Sequence, residues 1–331
     1  LDTQGRPIPT YSNEEITQLA RVMTGFWFGG RNWGGGGWTE QDYTTPMSLH
    51  AARHDFGRKA LLGGYVIPAR PATAENALRD VRDAVHHLFS HANTGVFIGK
   101  QLIQFLVTDN PSPAYVQRIS AVFADNGQGR RGDLGAVVRA ILLDPEARGP
   151  VAAQSAGFGR LKEPVIRAMA MARVFGMKQV PDLLWWDWGD FYNESRQSPT
   201  YSPSVFNFYR PEYRAPGLPT QNNLATPVFQ ITDSHSAIAF PNRLWHMLEE
   251  GFSQWEEYRF PLDIARESAL ASTPERLMDH LNLLFCAGQM RPGTRALILS
   301  ALNQIPASQT AARVRVAAYL ALTCPEGAVM R

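Results

Sequence analysis

Apolar residues recur along this chain at helical rather than strand spacing. Ser12-Asn-Glu-Glu15 has the form of a capping box, and Ile16, Leu19, Ala20 and Met23 follow at intervals of three and four. That pattern stops at Gly25. From Thr73 it resumes: Leu78, Val81, Val85, Leu88 and Phe89 make one stripe, and Val96, Ile98, Leu102, Phe105 and Leu106 make a second. Asp109-Asn-Pro-Ser-Pro113 ends the second stripe, because two prolines break a helix. Residues 115–123, 134–143 and 162–175 predict further short helices, the last carrying Val165, Ile166, Met169 and Ala172. Helical spacing returns near Ser234 and continues through 274–286, 292–302 and 311–322.

Two stretches depart from this rhythm. In residues 47–67 two short segments flank Asp55-Phe-Gly57, a turn signal, and they predict a hairpin closed by Pro68-Ala-Arg-Pro71. Residues 181–227 are rich in proline and aromatics, which predicts an ordered irregular segment lying over the helices. The expected fold is mostly α, an irregular multi-helix domain with one small β-hairpin and a long aromatic, Pro-rich ordered loop. Its parts are a helical core at 1–180, the packed loop at 181–230 and a C-terminal helical part at 231–331.

Composition narrows the classes. The 331 residues carry a formal net charge of +2, and the arginines are scattered, so no clustered basic excess points to nucleic acid. No apolar run approaches the ~20 residues that span a bilayer. The opening Leu1-Asp-Thr-Gln lacks an initiator Met, so a mature or trimmed product is expected.

Several residues are candidates for chemistry. His50 and His54 lie four apart in the predicted strand, which puts them on one face, and His87 and His91 lie four apart on or near a helix end. A divalent transition metal needs three or four such ligands, so these four are candidate metal ligands. The competing reading has each histidine closing a turn or capping a helix. His54, Asp55 and Lys59 are candidate acid/base residues at a turn, with Asp55 capping the turn and Lys59 pairing with a carboxylate as the structural reading. His91 and Lys100 are further candidates, with Asn93 as a helix N-cap between them. Together these residues are expected to form one polar cluster, roofed by Gly34–Gly37. Trp33, Trp38, Trp185, Trp186 and Trp188 are candidate stacking platforms for a glycan, or simply buried area. No Gly-x-Ser-x-Gly elbow occurs.

Long, unusual segments give a resemblance. They are Phe26-Trp-Phe-Gly-Gly, His54-Asp-Phe-Gly-Arg-Lys59, His91-Ala-Asn-Thr94, Asp109-Asn-Pro-Ser-Pro113, Leu161-Lys-Glu-Pro164 and Ser202-Pro-Ser-Val-Phe-Asn-Phe-Tyr-Arg-Pro211. Together they resemble the bacterial domain-of-unknown-function family numbered eighteen hundred. That resemblance implies an exported protein, in the periplasm, at the cell surface or outside the cell. It also implies an upstream helical half, either in the same protein or as a separate chain, and a sulfatase-like partner protein. An apolar face near residues 12–28 would then await that half. In an exported protein Cys286 and Cys324 are expected to form a disulfide; otherwise they are buried thiols. Two functions follow as expectations. One is a binding or assembly component whose partner is a protein or a glycan. The other is a metal- or His-assisted hydrolase of an extracellular polymer.

Overall fold

The computed structural model describes residues 10–29, 44–149, 157–177, 189–205, 207–255 and 258–331. Among the described residues the chain is mostly helical, with only small two-stranded sheets, and it divides into two units at Thr94.

The first unit holds helix α1 (Asn13–Val22), strands β1 (Phe26–Trp27), β2 (Ser48–Leu49), β3 (Lys59–Ala60) and β4 (Val66–Ile67), and helix α2 (Ala74–Ser90). The capping box starts α1 as its sequence requires: Glu14 N donates to Ser12 Oγ, and Ser12 N donates to the Glu15 carboxylate at 2.7 Å. β1 pairs antiparallel with β2, and β3 with β4. The hairpin therefore turns at Gly63-Gly64 rather than at Asp55-Phe-Gly57. Both glycines have positive φ, 65° and 75°, which a tight return of the chain demands. Asp55 instead accepts from Gly57 N at 2.8 Å, a local turn that leads the chain onward. Val22, Leu61, Ile67 and Ala84 form the small core.

The second unit begins inside helix α3 (Ala92–Leu106) and continues with α4 (Pro113–Ala124), α5 (Leu134–Leu143) and α6 (Pro145–Arg148). Ile103, Tyr115, Ile119, Phe123, Val137 and Ile141 form its first core. A Cβ on Gly95 would come within 2.9 Å of the Phe123 ring, and one on Gly99 within 3.1 Å of Ile119, so glycine lets α3 and α4 approach closely. Strand β5 (Arg160–Leu161) leads into α7 (Pro164–Val174). Then come α8 (Gly189–Ser195), α9 (Leu218–Gln221), α10 (Ser236–Glu250), strands β6 (Phe252–Trp255) and β7 (Tyr258–Phe260), and α11 (Ala265–Ser268). The chain closes with α12 (Pro274–Cys286), α13 (Pro292–Asn303), α14 (Thr310–Thr323), α15 (Pro325–Ala328) and β8 (Val329–Met330). The larger core gathers Met171, Leu244, Leu277, Leu281, Leu302 and Ala317, and β8 returns to pair with β5. Among the described residues no helix is long and apolar enough to cross a membrane.

Candidate functional site

In the first unit the polar candidates assemble around a residue the sequence did not single out. Asp80 of α2 is fully buried, and Lys59 Nζ donates to its Oδ2 at 2.7 Å while Arg70 donates to its Oδ1 at 2.6 Å. The His54 ring faces Thr24 O through Nδ1 at 2.9 Å, which places a proton on that nitrogen, and its Nε2 lies 3.4 Å from Asp80 Oδ2. Arg70 also pairs with Asp83. Two cations thus meet two carboxylates, so the buried charge is compensated in kind. Asp55 points elsewhere, to Arg21 Nε at 2.7 Å, and that hydrogen bond holds its carboxyl at about 2.

The remaining histidines are spread out. His50 and His54 flank a short 3-10 turn at Ala51–Arg53 instead of sharing a strand face, so strand alternation does not apply to them. His87 donates to Leu62 O at 2.7 Å and stacks on Tyr65. His91 closes α2, and its Nδ1 accepts from Asn93 N, so His91 caps the turn where Asn93 was expected to. Asp80 and His91 are eleven residues apart on α2, about 16 Å of helical rise, which separates His91 from His54. Lys100 is exposed on α3 in the second unit. Among the described residues no group of three His, Cys, Asp or Glu side chains converges to hold a metal. Gly34–Gly37, Trp33, Trp38, Trp185, Trp186 and Trp188 lie outside the described residues.

A second polar cluster, in the second unit, joins three of the long motifs. Asp109 opens the loop after α3, Arg160 and Glu163 bracket the start of α7, and Tyr209 comes from the aromatic segment; all four are at least nine-tenths buried. Glu163 stands just before Pro164, at the start of α7. It occupies the N-cap position but caps nothing with its side chain. Its carboxylate accepts from Arg160 at 3.1 Å and from Gln197. Gln104, Asp109, Arg160, Tyr209, Pro211 and Pro227 surround a cleft of about 10 Å³, room for one water-sized group. Gln104 Oε1, Arg160 Nε and Tyr209 Oη are buried there without a hydrogen-bond partner. Burial pushes the Asp109 carboxyl up to about 7; Arg160 opposes the rise and Glu163 adds to it. Unsatisfied polar atoms beside a carboxyl poised near neutrality are the arrangement expected of an acid/base or recognition site. In the sequence these motifs stand far apart. Their convergence spans a hundred residues and leaves no periodic signal.

Cys286 and Cys324 are free thiols, not the expected disulfide. Both sulfurs rest on Ala321 O, at 3.7 and 3.3 Å, one from the end of α12 and one from the end of α14. A hydrogen bond from Cys286 holds Cys324 down to about 7, and the same bond, with burial, pushes Cys286 up.

Among the described residues, neither polar cluster matches a standard metal or nucleophile site. The chain's sequence matches the model of DUF1800, described as a protein of unknown function, over residues 2–329, and the chain belongs to that family. No curated protein and no solved structure matches it.

Proposed function

We propose that this chain is a binding or assembly component of the bacterial envelope or extracellular space, and that its partner is another protein. One observation carries the reading. Helix α2 turns Ala77, Asp80 and Ala84 inward and leaves Leu78, Val85 and Phe89 exposed at 41 %, 52 % and 37 %. Those three recur at seven and four residues, so they line one face, with Arg82 between them. A spaced apolar stripe on a soluble face is what a helix-in-groove partner recognises. Ile16 and Met23 of α1 and its C-cap are likewise exposed. The sulfatase-like protein and the upstream helical half implied by the family resemblance are the first partners to test.

A metal-assisted reading would need three ligands together, and among the described residues His54, His87 and His91 instead each bond a different main-chain group. A hydrolase reading draws instead on Asp109 and the unsatisfied atoms around it. The test is co-purification of each partner with the chain and with a Leu78→Glu/Val85→Glu double variant. The binding reading expects a stoichiometric complex that the double variant loses while keeping its melting temperature. A complex that survives the double variant sinks it.

A further inference from the structure

A cavity of about 220 Å³ opens in the second unit where α12 hands over to α13 and α15 hands over to β8. Lys162, Cys286, Ala287, Arg291, Glu326 and Met330 are among the residues around it. Its position follows from the β5–β8 pairing. Lys162 N continues that pairing by donating to Ala328 O at 2.7 Å, which fixes the base of the lysine side chain against this wall.

Charge is distributed unevenly here. Arg291 and Thr294 Oγ1, the latter at 3.2 Å, both donate to Glu326 Oε1, while Glu326 Oε2 is buried without a hydrogen-bond partner, so the pocket's carboxylate is engaged through one oxygen. Lys162 Nζ donates to Phe285 O at 2.8 Å, one bond for an ammonium that carries three donors. Among the described residues it has no carboxylate partner. Burial lowers its pKa; Arg167 pushes the same way, and the neighbouring thiols Cys286 and Cys324 push back. Lys162, Arg291 and Arg331 outnumber Glu326 around the cavity, and this net positive lining favours an anion from outside. Ala287, Pro325, Val329 and Met330 supply apolar wall, and Gln289 and Arg331 add polar groups. Arg291 is held by Glu326, and Arg331, which also lines the cavity, is exposed, so Lys162 is the half-buried cation left to meet a carboxylate, whereas phosphate, with more charge and more acceptor oxygens, calls for several convergent donors.

We propose that this cavity binds a small aliphatic monocarboxylate, its carboxylate meeting Lys162 Nζ and its tail lying against Ala287, Val329 and Met330. The site is distant in kind from the exposed stripe of α2, so its success or failure leaves the binding reading untouched. A charge-assisted bond to the ammonium provides selectivity, and the volume limits the ligand to a short chain.

Calorimetric titration of the full chain with butyrate, butyramide and inorganic phosphate tests the proposal. Butyramide keeps the shape of butyrate and lacks its charge, so it should bind about tenfold more weakly or worse. Phosphate should also bind more weakly than butyrate. In Lys162→Gln the preference for butyrate over butyramide should vanish. Absence of butyrate binding, equal binding of butyramide, tighter binding of phosphate, or a preference that persists in Lys162→Gln each overturns it. An acetyl-alanyl-alanine probe binding more tightly than butyrate would overturn the small-acid assignment in favour of peptide ends. Should Lys162→Gln not fold, the comparison of butyrate with butyramide on the unaltered chain decides alone.

Discussion

Asp80 and Asp109 are both buried carboxyl groups, and their neighbours give them opposite behaviour. Asp80 is held by Lys59 and Arg70, both within 2.7 Å. Removing its charge in Asp80→Asn leaves the fully buried Lys59 ammonium without a counter-ion. The expected loss is about 3–5 kcal/mol, read by urea unfolding near neutral pH. A loss below about 1 kcal/mol would mean that Lys59 finds another partner. Asp109 has no such clamp, and burial raises it to about 7 from 3.8. Between those values the folded chain keeps a proton that the unfolded chain releases. Its contribution to stability therefore falls as pH rises through that window and is flat above it. Asp109→Asn removes the titration. Relative to the natural chain the variant should match it near pH 3 and gain about 2–4 kcal/mol by pH 8, measured by unfolding across that range. A difference that does not change with pH would mean that Asp109 ionises at its ordinary value.

At the scale of elements, close approach decides which faces go inward. Gly327 in α15 has its Cα against Ala321 O, the carbonyl that both thiols also touch, and a Cβ there would overlap that oxygen. The neighbour is backbone and has no rotamer with which to yield. Gly327→Ala is therefore expected to cost about 1–3 kcal/mol and to speed the alkylation of both thiols, measured by unfolding and by timed iodoacetamide labelling. Unchanged stability would place the α14–α15 turn further open. Helix α2 illustrates the same rule. Its apolar spacing announces a helix, and the helix forms over Ala74–Ser90. Spacing also points Leu78, Val85 and Phe89 inward, yet Ala77 and Ala84 take that side. Small side chains let α1 and β4 come close, and the Lys59–Asp80–Arg70 charges draw the same face in. Periodicity reports that a helix has two faces. It does not report which one the rest of the chain completes.

Across the whole molecule, what local chemistry dictates was legible and what distant pairing dictates was not. The Ser12 box, the helix pairs before and after Asp109, and the mostly helical class follow from neighbours within a few residues. The hairpin was expected one turn too early, because Asp55-Phe-Gly57 and Gly63-Gly64 are both turn signals and only the second supplies two positive φ values. Lys59 could be read as needing a carboxylate, but nothing near it in sequence names Asp80. The meeting of Asp109, Arg160, Glu163 and Tyr209 depends on three separate segments, and spacing is blind to that. The two thiols follow from the same limitation: neighbouring helix ends bring both to one carbonyl without bonding them. Denaturation in the presence of a thiol reagent should accordingly titrate both Cys286 and Cys324 as free groups, and a single disulfide found by mass would contradict the arrangement.

The central claim is that the exposed face of α2 is where a protein partner docks. Site-specific photo-crosslinking from position 85, in cells that also produce the proposed sulfatase-like partner, tests this docking, with a second probe at inward-facing position 77 as control. A discrete adduct to that proposed partner is expected from position 85, none from position 77, and loss of the adduct when Leu78→Glu and Phe89→Glu are added. Equal labelling from both positions, or an adduct that withstands both substitutions, contradicts it.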